Sequence, residues 1–127
     1  MPDSPEPREL VGPVLLAEGA EQAELAIVIY DDDGRYLAVN DHAVELLGYT
    51  REEVLHRDVA DFTSGGMDRS VLLRPERREG ARIVTRKDGT TIPVAFVVAP
   101  TRISGLQFYF AVWWRLADDD PRARAAN

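Results

Sequence analysis

A chain of 127 residues with a formal charge of −7 and no cysteine has the size of one domain. The negative balance argues against a nucleic-acid backbone or an anionic membrane surface as the main partner. The missing cysteine removes disulfides, thiolate metal sites, thiol nucleophiles and cysteinyl-flavin photochemistry. A hydrophobic content of 45% suits a globular core, no apolar run is long enough to span a membrane, and the acidic, proline-rich start is unlike a signal peptide. A cytoplasmic setting is therefore the expectation.

In chain order, residues 1–9 read as a flexible arm. Residues 10–25 follow as an N-terminal helical cap. Its apolar side comes from Leu10, Val14, Leu15, Leu16, Ala20 and Leu25, and Pro13 sits in its first turn. This helix lies ahead of the core, where it either packs on its own domain or meets a second subunit. Residues 26–30, rich in branched side chains, predict a buried strand. Asp31, Asp32, Asp33 and Gly34 predict a turn, and residues 35–39 the returning strand.

Residues 40–55 predict two short helices meeting at a glycine corner. Asn40 caps the first helix, whose apolar side is Val44, Leu46 and Leu47, and Gly48 takes the left-handed position that closes it. Thr50 and Glu53 have the spacing of a capping box for the second, with Tyr49 and Val54 at the staple positions. Residues 58–62 suggest one more helical turn. Ser64 is placed to cap a segment in which Met67, Val71 and Leu72 look inward, and Pro75 marks its end.

The last third predicts three strands. Residues 81–87 and 90–98 flank Asp88-Gly89, a dipeptide favoured in two-residue hairpin loops. That loop sets Lys87 opposite Thr90, Thr85 opposite Ile92 and Ile83 opposite Val94. Residues 106–114 form the final strand. Leu106, Phe108, Phe110, Val112 and Trp114 share one face; Gln107, Tyr109, Ala111 and Trp113 share the other. Residues 116–127 read as a polar C-terminal tail. Five antiparallel strands with helices grouped on one side make an α+β domain.

This ordered set of pieces resembles the PAS domain family. The resemblance rests on Asp33-Gly34-Arg35 ahead of Val39-Asn40, then Ala43 and Leu46-Leu47-Gly48-Tyr49-Thr50. It continues through Glu52-Glu53-Val54-Leu55 and Arg86-Lys87-Asp88-Gly89-Thr90 ahead of Ile92-Pro93-Val94. It implies a core over residues 26–115: a five-stranded antiparallel sheet in the order 2-1-5-4-3, with short helices over one face. It also implies a sensory and dimerisation module that passes conformational change to a partner or an attached output domain. The alternative is a small-molecule sensor or carrier with an apolar metabolite in the cleft between helices and sheet. These 127 residues hold no output domain, so the chain is either part of a larger sensor or acts through non-covalent contacts.

No cofactor is expected. Light-sensing flavin relatives use a cysteine on the helix matching residues 58–62, and haem-binding relatives commonly use a histidine on the helix matching residues 65–74; this chain has neither. His56 stands where the family usually has glycine, which leaves the backbone there open. His42 and His56, with Asp41, Glu45 and Asp58 nearby, lack a zinc spacing. The clusters at 31–33 and 118–120 read as a solvated turn and tail, so no metal is expected. Ser64 and Ser104 have no histidine base at readable spacing, so catalysis has no support.

Tyr49, His56, Thr85, Phe96, Gln107 and Phe108 are the candidates for the ligand cleft. Leu10, Val14, Leu15, Leu25, Tyr109 and Trp113 are the candidates for a homodimer contact between the N-terminal helix and the outer face of the sheet. Arg82, Arg86 and Lys87 are expected to face water. The partners implied are a second copy, a signalling protein or output domain, and a small apolar ligand.

Overall fold

The computed structural model describes residues 7–62 and 73–126, with 7–14 and 125 described by backbone alone. The helical segment expected from Ser64 lies outside the described residues. Helix α1 (Pro7–Gln22) leads into β1 (Ala26–Asp31) and β2 (Tyr36–Val39), followed by α2 (Asp41–Leu47), α3 (Arg51–Leu55) and a 3-10 turn (Val59–Phe62). Strands β3 (Arg78–Thr85), β4 (Thr91–Ile103) and β5 (Leu106–Arg115) and a last helix, α4 (Pro121–Ala125), complete the order. The strands form one antiparallel sheet in the order β2-β1-β5-β4-β3, and α2, α3 and the 3-10 turn cover one face of it.

Helix α1 begins at Pro7, so Pro13 falls inside it rather than in its first turn; lacking an N–H, it gives no bond to the preceding turn. The helix ends earlier than expected. Glu24 takes a positive φ of 56°, its N–H reaches the Glu21 carbonyl, and the Leu25 N–H reaches that of Ala20. This is the double closure usually built on glycine. Leu25 therefore belongs to the corner after the helix, where its carbonyl accepts from Asn40 Nδ2 at 2.9 Å.

The 40–55 corner forms as its residues dictate. Asn40 Oδ1 accepts the N–H of Ala43 at 3.1 Å and that of Ile27 at 2.9 Å, so one side chain caps α2 and anchors β1. Gly48 sits at φ 78°, and its N–H returns to the Val44 carbonyl. Thr50 and Glu53 complete the reciprocal capping box, at 2.9 and 3.1 Å. His56 has φ −98°, a conformation open to any residue, so glycine is not required there.

The β3–β4 hairpin fixes this corner to the sheet. The Lys87 N–H meets the Leu47 carbonyl at 2.9 Å, and Lys87 Nζ lies 2.9 Å from Glu53 Oε2. The Glu53 carboxyl is held down from 4.5 to about 2, first by the Thr50 backbone N–H and then by the Lys87 ammonium, against a smaller desolvation effect. A depressed folded-state value stabilises the fold above the unfolded value, and that part is lost as pH falls from 4.5 through about 2. Glu53→Gln is expected to remove this acid-sensitive part. In urea titrations the gap between parent and variant should shrink across that window, and more weakly at high salt. A gap independent of pH would deny the ionised carboxylate its role.

The hairpin register differs by one residue from that expected. Strand β3 pairs Thr85 with Thr91, Val84 with Ile92 and Arg82 with Val94. The loop has three residues, not two: Arg86 N–H bonds to the Thr90 carbonyl and Gly89 N–H to that of Arg86, with only Gly89 at positive φ. Asp88 stays right-handed while its carboxylate accepts the Thr90 N–H and hydroxyl, at 2.9 and 2.5 Å. Moving register by one residue exchanges the two faces of β3. Strand β4 also runs on to Ile103 and joins β5 through Ser104-Gly105, both at positive φ, a two-residue hairpin turn.

Strand β5 turns its faces in a definite sense. Tyr109, Ala111 and Trp113 are buried inward; Leu106 and Phe110 face outward and exposed. The expectation that Tyr109 and Trp113 form the outer contact is corrected. Cross-strand rows place them beside Tyr30 and Ala26 of β1, whose inner face is buried. The stretch expected to be a polar tail also folds: Asp120 caps α4, which packs on β3 and β4, and Leu116 is buried. The centre of the core is Leu47, Val54 and Ile92, each under 2% exposed or nearly so and each contributing about 1.5–3 kcal/mol by burial.

Candidate functional site

Between the inner face of the sheet and the helical cover lies a cavity of about 90 Å³. Its floor is Val28 and Tyr30 of β1, Ala111 and Trp113 of β5, and Val94, Phe96 and Val98 of β4. Tyr36 closes one side, and Leu47, Val59 and Phe62 supply the cover. Arg78, Arg82 and Val84 enter from β3. The register explains their presence: Arg78, Gly80, Arg82 and Val84 alternate along one strand and share the inward face.

One wall is aromatic throughout. The rings of Tyr109 and Tyr30 stack at 5.0 Å, Tyr36 meets Tyr30 edge-on at 6.2 Å, and Phe62 follows at 5.7 Å from Tyr36. Tyr49 joins the far end, 5.3 Å from Phe62, with the Arg57 guanidinium 4.6 Å from its ring centroid. Such tilted and offset pairs add to the energy of area burial. Burial pushes the Tyr30 phenol up to about 12, although nearby Arg78 opposes the shift, and burial also raises Tyr36. Both phenols therefore stay protonated at neutral pH where these residues line the chamber. The Tyr109 hydroxyl is committed elsewhere, donating to the Leu73 carbonyl at 2.7 Å.

Of the six cleft candidates, only Phe96 lines this cavity. Tyr49 stands behind Phe62. His56 is exposed, and its Nδ1 lies 2.7 Å from the Glu52 carbonyl. A two-residue loop would set Thr85 opposite Ile92, whereas the observed register puts Val84 there. Phe108 lies on the outer face, and Gln107 Nε2 bonds to the Phe108 carbonyl near the β4–β5 turn. Arg82, expected in water, is half-buried and lines the cavity, while Lys87 pairs with Glu53. The signal that marks Arg78 and Arg82 is their two-residue spacing about Gly80, readable only once the hairpin register is known.

Asp31, Asp32 and Asp33 bring their carboxylates within 4.8 Å of one another on the exposed β1–β2 turn. Asp31 Oδ1 already accepts the N–H groups of Asp33 and Arg35, at 3.0 and 2.9 Å. Among the described residues no helix is long and apolar enough to cross a membrane.

A family model described as PAS domain matches residues 24–113. The chain belongs to the PAS domain family. It is accordingly a non-catalytic sensory module of signal transduction. Solved PAS structures are similar throughout the core. A PAS domain of an HTR-like protein from Haloarcula marismortui is 24% identical over 83% of this chain and 98% of that one, with a TM-score of 0.65. A PAS domain from Desulfitobacterium hafniense is 26% identical over 73% and 93%, with a TM-score of 0.64. The PAS domain of a two-component sensor histidine kinase has a TM-score of 0.70 at 14% identity, over 85% and 99%. No curated protein matches the chain.

Proposed function

We propose that this PAS domain works as a homodimer that senses through its inner cavity and passes the change to an attached output domain or a signalling partner. The observation that carries the reading is the two-sidedness of β5. Tyr109, Ala111 and Trp113 point into the core and cavity, while the alternate residues Phe108, Phe110 and Val112 point out of the sheet. A displacement of this central strand by a change in the cavity is necessarily felt on the outer face.

That face suits a second copy. Its central rows, Ala38–Ile29–Phe110–Ala99 and Ile27–Val112–Val97, are apolar, with Glu79 at the β3 end of the second and Asp31 beside Phe108 at the margin. Phe110 is 41% exposed and Leu106 62%, and Leu15 and Leu16 of α1 are 60% and 77% exposed. Large exposed apolar side chains of this kind favour contacts, and a symmetric pair is the commonest assembly of one chain. The proposed dimer contact is Leu15 and Leu16 of α1 against Phe110 and its neighbours.

Sedimentation tests the reading. The parent should be dimeric near 100 μM, about −5.5 kcal/mol of association. Phe110→Glu should be monomeric there with an unchanged circular dichroism spectrum, because an introduced carboxylate opposes desolvation. A monomeric parent at that concentration ends the dimer reading. A variant that still dimerises moves the contact off this face.

A further inference from the structure

We propose that β3, the open edge of the sheet, takes up an extended acidic segment of a partner protein as a sixth strand. The two edges of the sheet differ. Strand β2 has four residues, and Arg35 just ahead of it is bridged to Asp58. Strand β3 has eight, and among the described residues it pairs with β4 alone. It keeps one register from Arg78 opposite Val98 to Thr85 opposite Thr91, with neither bulge nor proline to stop a further strand from adding. The Arg86 N–H, bonded to the Thr90 carbonyl, fixes which backbone groups are open. Backbone direction alternates in an antiparallel pair, so Arg78, Gly80, Arg82 and Val84 bond toward β4. Glu79, Ala81, Ile83 and Thr85 turn their N–H and C=O groups to the open edge. Glu79 and Gly80 are exposed, and a groove lined by them, Ala81 and Arg122 of α4 opens beside the strand.

Charge selects the occupant. Six of the chain's 15 basic residues lie between Arg74 and Lys87, against two glutamates, in a chain of net charge −7. Arg74 and Arg77 are exposed ahead of the strand, and Arg82 is half-buried within it. Two copies of β3 paired edge to edge would set like charges against each other, so the edge disfavours its own copy. An acidic strand gains from the same charges. The side-chain rows specify its pattern. Arg78, Gly80 and Arg82 take the non-hydrogen-bonded sites of the new pair, where facing side chains come closest. An acid therefore belongs opposite Arg82, with a second four residues on, toward the basic start of the strand. A large apolar residue belongs opposite Gly80: a Cβ there would stand 3.2 Å from Phe96 Cζ, so the Phe96 ring lies over the glycine and offers apolar surface. On the other face, branched side chains meet Ala81 and Ile83.

NMR titration of the full chain with the capped peptide Thr-Glu-Val-Phe-Val-Glu-Thr tests this. Binding should be saturable and one-to-one. It should slow amide hydrogen exchange at Ala81 and Ile83, while Arg82 and Val84, already bonded toward β4, change little. The peptide with lysine for both glutamates should bind about tenfold or more weakly, the least that loss of a charge-assisted contact implies. So should the acidic peptide N-methylated at both valines, which keeps its charge but loses the donors that face the edge. Ala81→Pro removes one edge N–H and no bond to β4, so it should keep the parent's circular dichroism spectrum and bind about tenfold or more weakly. If that variant does not fold, the N-methylated peptide asks the same question of the parent. Equal affinity for the N-methylated or the lysine peptide, or a seven-residue oligothymidylate bound as tightly as the acidic peptide, would overturn the proposal. Exchange slowed away from the β3 edge, or no binding at all, would do the same. Phe110→Glu leaves the β3 edge intact, so peptide binding by that variant is read independently of the dimer.

Discussion

Replacing Trp113 with alanine is expected to lower the unfolding free energy by about 3–5 kcal/mol, whereas Phe110→Ala should cost well under half as much. Three residues apart on β5, these aromatics lie on opposite faces. Trp113 is 8% exposed and packs in the row formed with Ala26 and Phe96; Phe110 is 41% exposed on the outer face. Deleting the indole enlarges the cavity it lines, and the surrounding sheet relaxes only in part. Deleting the phenyl ring removes area that water already touches. Urea denaturation of both variants at a concentration where the parent is monomeric gives the comparison directly. Similar small losses would place Trp113 outside the core and reverse the faces of β5.

This strand also shows where the sequence is ambiguous. Its two faces are Leu106, Phe108, Phe110, Val112 and Trp114 against Gln107, Tyr109, Ala111 and Trp113, both rich in apolar area. Alternation establishes a strand but cannot say which side meets the helices. The decision comes from long-range pairing with β1 and β4, which places Tyr109 beside Tyr30 and Trp113 beside Phe96. The opposite holds at the 40–55 corner. Asn40, Gly48, Thr50 and Glu53 act on backbone groups within a few residues, so their chemistry can be read locally.

Between these extremes lies the β3–β4 loop. Asp-Gly fits a two-residue loop with both residues at positive φ. It also fits a three-residue loop with only the glycine there. The second geometry prevails here, with Asp88 bonded to Thr90 and the Lys87 N–H committed to Leu47. One residue of register then separates a cleft containing Thr85 from one containing Arg82. The candidate site was legible as a place between helices and sheet, and Phe96 as one of its walls. Its charged residues depended on a tertiary contact that no local pattern encodes.

Gly48→Val is expected to destabilise the domain by about 2–4 kcal/mol, and Gly48→Asn by about 1 or less. Space is not the reason. A Cβ at this position would lie 3.7 Å from Lys87 Cβ, an ordinary contact. The cost is in the backbone, at φ 78° and ψ 4°, where an L-residue loses roughly 1–2 kcal/mol and a β-branched one more. Asparagine tolerates that region, which separates the two substitutions. Should valine instead pull residue 48 out of the left-handed region, the Gly48 N–H leaves the Val44 carbonyl, and Leu47 turns its carbonyl from the Lys87 N–H. Each lost bond costs about 0.5–1.5 kcal/mol, so relaxation does not escape the penalty. It would also loosen Lys87 from Glu53, detaching the glycine corner from the hairpin that carries Arg82. Chemical denaturation of the parent and both variants measures the difference. Equal, small losses for valine and asparagine would mean that the corner does not depend on its left-handed residue.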